Sequence, residues 1–223
     1  MLVPLAQDIW HVSAPVKLPA GARLDTRMTV VRLASGDVLL HSPVRMAPET
    51  QAAVAAIGPV RLVIAPNLYH HLFVGHALAQ FPDAKLFAPS GLAQKRPDLP
   101  LPGLLSGDPL PGVDGELVQV LVEGAPKMNE VVFFHQPSGT LITSDLVFNV
   151  LHPEGLMTRL VMSLMGTNGQ LAKSRMWGML VKDRAAFDAS VARILTWDIA
   201  RLIMAHGDVV EQNAGAELAL VLA

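Results

Sequence analysis

Short apolar runs separated by turn-forming residues dominate the first half of the chain. Residues 27–33 and 38–41 flank Ser35-Gly36-Asp37, and this pattern predicts a β-hairpin with Gly36 at a position of positive φ. Continuous apolar runs between breakers are typical of strands that are buried on both faces. The predicted strands lie at 8–12, 27–33, 38–41, 61–65 and 84–88. Helical signals at 47–57 and 74–81 alternate with these strands, which predicts parallel strand pairs with helices on the sheet.

The second half predicts antiparallel strands followed by helices. Predicted strands lie at 116–122, 130–135, 140–143 and 201–205, and predicted helices at 183–196 and near the C-terminus. No fixed-period repeat and no low-complexity linker interrupts the chain. The prediction is one mixed α/β domain over residues 1–223, in which two sheets are flanked by outer helices.

The amino-acid composition of the chain excludes several classes of function. Only 16% of the 223 residues are charged, the formal net charge is −2, and the mean hydropathy is +0.40. Basic residues are not in excess over acidic ones, so the charge does not favour nucleic-acid binding. The apolar runs are also shorter than the ~20 residues of a membrane span. The absence of cysteine excludes disulfides and thiolate chemistry. We therefore expect a cytoplasmic protein without nucleic-acid or membrane partners, and the low charge suggests a homo-oligomer, in the simplest case a dimer.

Histidine and aspartate follow several predicted strands directly. The candidates are His41, His70, His71, Asp145 and His206. Ligand sites collect at the carboxyl ends of strands in α/β sheets, because loops converge there on a rigid support. Two or three histidines with one aspartate suit Zn, Fe or Mn in an open site, where water completes the coordination. A bound metal lowers the pKa of that water from 15.7 to ~7.

Each candidate also has a purely structural interpretation. A loop histidine can simply satisfy a backbone carbonyl, Asp145 can form a turn, and 206–208 can lead into the last helix with Asp208 as its cap. The methionine-rich segment 156–179 also allows more than one interpretation. Its methionines are suited to the mouth of an adaptable binding site, to a dimer contact or to ordinary core packing.

Four blocks of the sequence, residues 27–44, 65–92, 130–149 and 197–208, resemble an uncharacterised family of metallo-β-lactamase-fold proteins. The resemblance spans most of the chain, and the blocks occur in the expected order. It implies an αββα sandwich with the functional site at one edge of the sheets.

The metal motif of that superfamily is degenerate here. Its loop reads His-x-His-x-Asp-His-x-Gly, whereas residues 68–75 read Leu-Tyr-His-His-Leu-Phe-Val-Gly. In this alignment only His70 keeps a ligand position, and Leu68, Leu72 and Phe73 replace the other three. Asp145 matches the bridging aspartate and His206 the final histidine. His41 stands where many members have an aspartate, and the third histidine expected between 122 and 130 is missing.

Two hypotheses follow from the resemblance and the residues. The first is a single-metal hydrolase of a small ester or lactone, in which His70 or His71, Asp145 and His206 hold one Zn, Fe or Mn ion and a neighbouring histidine shuttles the proton. In this hypothesis His70, His71 and Asp145 carry the catalysis, with His41 a further possible ligand. The alternative is a catalytically inactive protein of the same fold that holds no metal and serves as a small-molecule-binding or oligomeric assembly module.

Overall fold

A computed structural model describes residues 1–17, 21–113 and 115–223 of the chain. The strands are β1 (Val3–Ala6), β2 (Ile9–Lys17), β3 (Arg23–Arg32), β4 (Val38–His41), β5 (Val60–Ile64), β6 (Lys85–Ala88), β7 (Gly103–Leu104), β8 (Leu117–Leu121), β9 (Val131–His135), β10 (Thr140–Ile142), β11 (Phe148–Asn149), β12 (Leu171–Ala172) and β13 (Arg201–Ile203). The helices are α1 (Pro48–Ala55), α2 (Val74–Gln80), α3 (Leu92–Lys95), α4 (Leu156–Met165), α5 (Arg175–Leu180), α6 (Arg184–Ile194) and α7 (Ala214–Leu222).

Two mixed sheets form the centre of the molecule. The first has the strand order β1 to β7, antiparallel from β1 to β4 and parallel from β4 to β7. The second has the order β13-β10-β9-β8, with β10 and β13 parallel to each other. The short strands β11 and β12 form a separate antiparallel pair. In each main sheet, neighbouring parallel strands therefore present their carboxyl ends at one edge.

Alternation along the strands divides the core into three interfaces. On β3 and β4, Val30 and Leu40 pack toward α1 and α2, whereas Val31 and Leu39 face the second sheet. Side chains of β8 to β10 and β13 meet them there, and on their other side pack against α5, α6 and α7. Successive strand residues point to opposite faces, so apolar runs without polar alternation are the expected sequence of strands covered on both sides. The resulting order of helix, sheet, sheet and helix confirms the predicted αββα sandwich.

The predicted elements are found, but the strand predicted at 8–12 continues to Lys17 in β2, and the strand predicted at 27–33 begins at Arg23 in β3. The hairpin of β3 and β4 turns through Gly36 at φ +87°, as its sequence predicts. Asp208 does not cap the last helix, because α7 begins six residues later after Asn213. The structure also contains elements that the sequence pattern does not predict, which are the helices α3, α4 and α5 and the short strands β1, β7, β11 and β12. Among the described helices, none has the length and apolar character that crossing a membrane requires.

Candidate functional site

The carboxyl ends of three strands bring one aspartate and two histidines together. His70 lies in the loop after β5, Asp145 follows β10, and His206 follows β13. One ligand atom from each of these residues lies within 4.8 Å of the other two. In the described part of the chain this is the one such group of three that could hold a metal ion. The parallel pairing of β10 with β13 explains why two ligands so distant in sequence meet.

His70 is held at both ring nitrogens. Its Nδ1 is 2.6 Å from the hydroxyl of Ser42, and its Nε2 is 3.2 Å from Oδ1 of Asp145. Its backbone N–H donates to the side-chain oxygen of Asn67 at 2.8 Å, which fixes the loop itself. Ser42 directly follows β4 and has φ +55°, a left-handed conformation that is uncommon outside glycine. The backbone at the end of β4 is therefore turned so that Ser42 reaches His70.

His206 is oriented by a backbone carbonyl. Its Nδ1 donates to the carbonyl oxygen of Asp25 at 2.8 Å, and its Nε2 faces Oδ1 of Asp145 at 3.5 Å. Arg27 fastens the same loop, because its guanidinium donates to the carbonyls of Met204 and Gly207. Gly207 has φ +95°, and a Cβ there would lie 2.1 Å from the carbonyl oxygen of Asn149. The glycine after His206 is thus required by close backbone contact.

Asp145 is supported by a second, fully buried carboxylate. Its Oδ2 accepts a hydrogen bond from Asn67 at 2.9 Å. Behind it, Glu130 accepts the backbone N–H groups of three successive residues, Ser144, Asp145 and Leu146, at 2.8 to 3.1 Å. Trp177 Nε1 and the Asn67 amide complete the set of donors to Glu130 at 3.4 Å. Glu130 therefore shapes the turn that carries Asp145.

The buried charges of the cluster shift one another's pKa values. Burial disfavours the charged form of His70, but the carboxylates of Asp145 and Glu130 outweigh it, and the pKa of His70 is raised. Burial likewise opposes ionisation of Asp145, yet the neighbouring His70 and His206 hold the pKa of Asp145 well below its usual range. Burial and the charge of Asp145 raise the pKa of Glu130. The carboxylate of Asp145 thus stays ionised and favours a positive charge beside it, carried by a proton or by a metal cation.

The other two sequence candidates have different surroundings. His41 is 1% exposed and packs edge-on against Phe133 with ring centroids 5.6 Å apart, and its Nε2 has no hydrogen-bond partner in the described structure. Burial, aided by the positive charge of His70, lowers the pKa of His41 to about 3. His71 accepts a hydrogen bond from Arg96 at Nδ1, 3.0 Å away, and burial with nearby positive charge lowers the pKa of His71 to about 4. Neither residue belongs to the three-ligand group.

A serine-hydrolase triad has the same order of contacts as Ser42, His70 and Asp145, but its serine is accessible to the substrate. Ser42 is 2% exposed and does not line the cavity above the site. A nucleophilic hydroxyl has to reach the substrate carbonyl. Ser42 is therefore placed to orient His70.

A cavity of about 730 Å³ opens above the cluster. His70, Asp145 and His206 line it together with His71, and the ring of Phe148 stacks on His206 with centroids 5.1 Å apart. One wall comes from the loop 69–73 and from Lys95. Another wall comes from β2, β3, α4 and the methionine of α5. Its residues are Val16, Leu24, Thr26, Val161, Met162, Met165 and Met176.

Sequence reasoning missed two residues that organise the site. Glu130 opens a strand that looks like any buried strand, and Asn67 stands in an ordinary Pro-Asn loop sequence. Both are completely buried in the structure. The sequence does contain one signal for Glu130, because a glutamate at the start of an apolar strand indicates a buried carboxylate. Such a carboxylate needs several hydrogen-bond partners.

The hydrogen-bond pattern fits a metal cation. Because the carbonyl of Asp25 can only accept, Nδ1 of His206 carries the proton, and in the neutral ring the lone pair of Nε2 faces the carboxylate of Asp145. Two acceptors 3.5 Å apart need a proton or a cation between them. The outer contacts of His70, Asp145 and His206 are also those that metal ligands use to fix their orientation. The donor set of two imidazoles and one carboxylate suits Zn, Fe or Mn.

Comparison with known proteins places the fold. A family profile described as a domain of unknown function, DUF4336, matches residues 7–100, less than half of the chain. No curated protein matches the sequence. A metallo-β-lactamase from Pontibacter korlensis is similar in structure, with a TM-score of 0.66 and 12% identity, over 100% of this chain and 98% of that one.

Two further solved structures are similar to the same extent. The FIM-1 metallo-β-lactamase from Pseudomonas aeruginosa, in its mono-zinc form, has a TM-score of 0.64 and 13% identity, over 100% of this chain and 94% of its own. The metal-soaked Flv1 flavodiiron core from Synechocystis has 0.67 and 12%, over 100% of this chain and 59% of its own. Identities this low show the fold alone. The predicted resemblance is confirmed at that level: the chain is a metallo-β-lactamase-fold protein whose metal-binding motif is degenerate.

Proposed function

We propose that the protein is a single-metal hydrolase that acts on a small ester or lactone. The observation that supports this most directly is the convergence of His70, Asp145 and His206 on the cavity. Each of the three side chains is also held in place by a hydrogen bond to a group outside the cluster. Three protein ligands leave coordination positions open for water and substrate. The bound ion supplies Lewis acidity and lowers the pKa of water toward neutrality.

The chain's own residues take distinct roles in this proposal. His70, Asp145 and His206 hold the ion, while Ser42, Asn67 and the carbonyl of Asp25 keep these three ligands in place. His71 is neutral near pH 7, and because Nδ1 accepts from Arg96 its proton is on Nε2. It therefore serves as a hydrogen-bond donor to a substrate oxygen. Hydrolysis forms a bond from the water oxygen to the acyl carbon and breaks the ester C–O bond, which gives an acid and an alcohol.

The alternative of an inactive binding or assembly module is not favoured. It rests on three apolar residues in place of ligands, yet Leu72 is 61% exposed, and Leu72 and Phe73 line the cavity wall without displacing the three-ligand group. The replacement of the other motif ligands reduces the number of metal ions that the site holds. One complete ligand set, the three-ligand group, remains.

Hydrolysis of p-nitrophenyl esters and aliphatic lactones tests the proposal, with protein loaded with Zn, Mn or Fe(II). We expect metal-dependent turnover that a chelator removes and that His206→Asn lowers by at least about 100-fold. His152→Asn, which changes an exposed histidine outside the cavity, is the matched control and should leave the rate unchanged. Turnover that is equal in His206→Asn and in the wild type would contradict a metal role for this residue.

A further inference from the structure

The cavity separates polar and apolar surfaces. Its titratable groups, which are the three-ligand group, His71, Tyr69 and Lys95, all lie outside the wall formed by β2, β3, α4 and α5, and that wall is almost entirely apolar. Only Thr26 adds a hydroxyl to that wall. A ligand that fills the cavity must therefore place one polar, reactive group at the floor and apolar atoms along the wall.

Methionines of α4 and α5 make the apolar wall adaptable. Met162, Met165 and Met176 all line the cavity, and Met162 is fully buried. Methionine is unbranched and polarizable, and it moulds to flexible ligands better than leucine or isoleucine does. The turn from α4 to β12 passes through Gly166 at φ +77°, and α4 and α5 contact each other, so that both helices present these side chains to one space. This chemistry suits a flexible hydrocarbon chain better than a rigid ring system.

We propose that the substrate carries a flexible linear alkyl or acyl chain that is longer than a short acyl group. The ester or lactone carbonyl lies against His70, Asp145 and His206, and the chain runs along Met162, Met165 and Met176. This inference rests on the proposed hydrolase function, because it names the substrate class of the same site. Cavities of 300–1,000 Å³ hold drug-sized ligands, and at about 730 Å³ this cavity exceeds the space that a short acyl group needs.

The kinetic test is a chain-length series of p-nitrophenyl esters, from acetate to decanoate. Burial of one methylene contributes a factor of about three to four, so kcat/KM should rise by about that factor per carbon until the cavity is filled. A flat or falling series with measurable turnover would overturn the chain-length inference and leave the hydrolase proposal intact.

Variants connect this preference to the wall. Met165→Trp fills the cavity and should lower kcat/KM for the octanoate ester at least about tenfold, with little effect on the acetate ester. Met179→Trp makes the same substitution at a residue that is 71% exposed and outside the cavity, and it should match the wild type. Met176→Trp, from the neighbouring helix, is a second filling variant if Met165→Trp does not fold. Equal effects on the two esters would overturn the assignment of this wall.

A binding test separates the two proposals. The naphthalene dye ANS, bound to the protein, is displaced by 1-octanol and by 1-butanol in parallel titrations. We expect 1-octanol, with four more methylenes, to displace it at about 80- to 250-fold lower concentration, and Met165→Trp, but not Met179→Trp, to abolish that difference. If no ester or lactone is hydrolysed and the octanol preference holds, the hydrolase proposal fails and the apolar-chain site stands. Equal displacement by the two alcohols would overturn the inference whatever the catalytic result.

Discussion

Glu130 offers the sharpest test of how the site is built. Its two oxygens accept five donors: three successive backbone N–H groups, the indole of Trp177 and the amide of Asn67. In Glu130→Gln one oxygen becomes an NH₂ group. Whichever way the amide is turned, at least two of these buried donors then face another donor.

The expected loss of stability follows from this count. A buried donor left without a partner costs about 1–3 kcal/mol, so two of them cost about 2–6 kcal/mol. Relief of the repulsion between Glu130 and Asp145 offsets part of that cost, and we expect a net loss of about 3 kcal/mol. For a chain of this size that loss corresponds to a fall in Tm of roughly 6–12 °C.

Urea unfolding at neutral pH, followed by circular dichroism, measures the effect. Glu123→Gln changes an exposed glutamate and should stay within about 0.5 kcal/mol of the wild type. A loss below about 1 kcal/mol in Glu130→Gln would contradict this role, because it would mean that Glu130 is protonated in the fold and does not act as a carboxylate acceptor.

Four further predictions concern neighbouring residues. Because the pKa of His41 is lowered to about 3 in the fold from 6.5, the unfolded chain binds a proton there that the folded chain does not, and stability falls as pH drops below about 6.5. His41→Phe should therefore lose about 2–3 kcal/mol less than the wild type between about pH 6 and pH 4 in urea titrations, and equal losses would contradict this. Ser42→Ala should weaken zinc binding about tenfold in calorimetry while hydrolysis remains measurable, whereas complete loss of turnover with full metal occupancy would point to a serine nucleophile. Arg27→Lys keeps the charge but not the two-carbonyl contact, and we expect about tenfold weaker zinc binding with a change in Tm of only a few degrees; unchanged affinity would show that the His206 loop holds itself. The expected homodimer is checked by sedimentation velocity, where Leu160→Glu on the exposed face of α4 should give monomers if that face forms the contact.

The fold was predictable because its signals are local. Apolar runs such as 61–65 and 84–88 can be buried on both faces only in a layered sheet, and Gly36 marks the hairpin turn by its need for positive φ. The strand ends then predict where His70, Asp145 and His206 lie. These three residues do meet, because the parallel pairs β4–β5 and β10–β13 open toward the same edge.

Other parts of the site depend on tertiary contacts that a single sequence does not reveal. Whether His71 or His70 enters the ligand group depends on the path of the loop after β5, which Asn67 fixes by accepting the N–H of His70. The helix α4 exposes Leu156 and Leu164 while it buries Met162. The apolar pattern of its sequence therefore does not predict which face of the helix lies against the site. The methionines accordingly divide: Met165 and Met176 line the cavity, and Met179 faces outward.

Metal stoichiometry shows whether His70, Asp145 and His206 hold an ion. Protein purified without a histidine tag, incubated with zinc, manganese or iron(II) and passed through gel filtration, is analysed by plasma mass spectrometry. We predict about one metal ion per chain in the wild type, a loss of most of it in Asp145→Ala, and full occupancy in Asp83→Ala, where the aspartate side chain is 82% exposed. No bound metal in the wild type, or equal occupancy in Asp145→Ala, would contradict a metal site formed by these three residues.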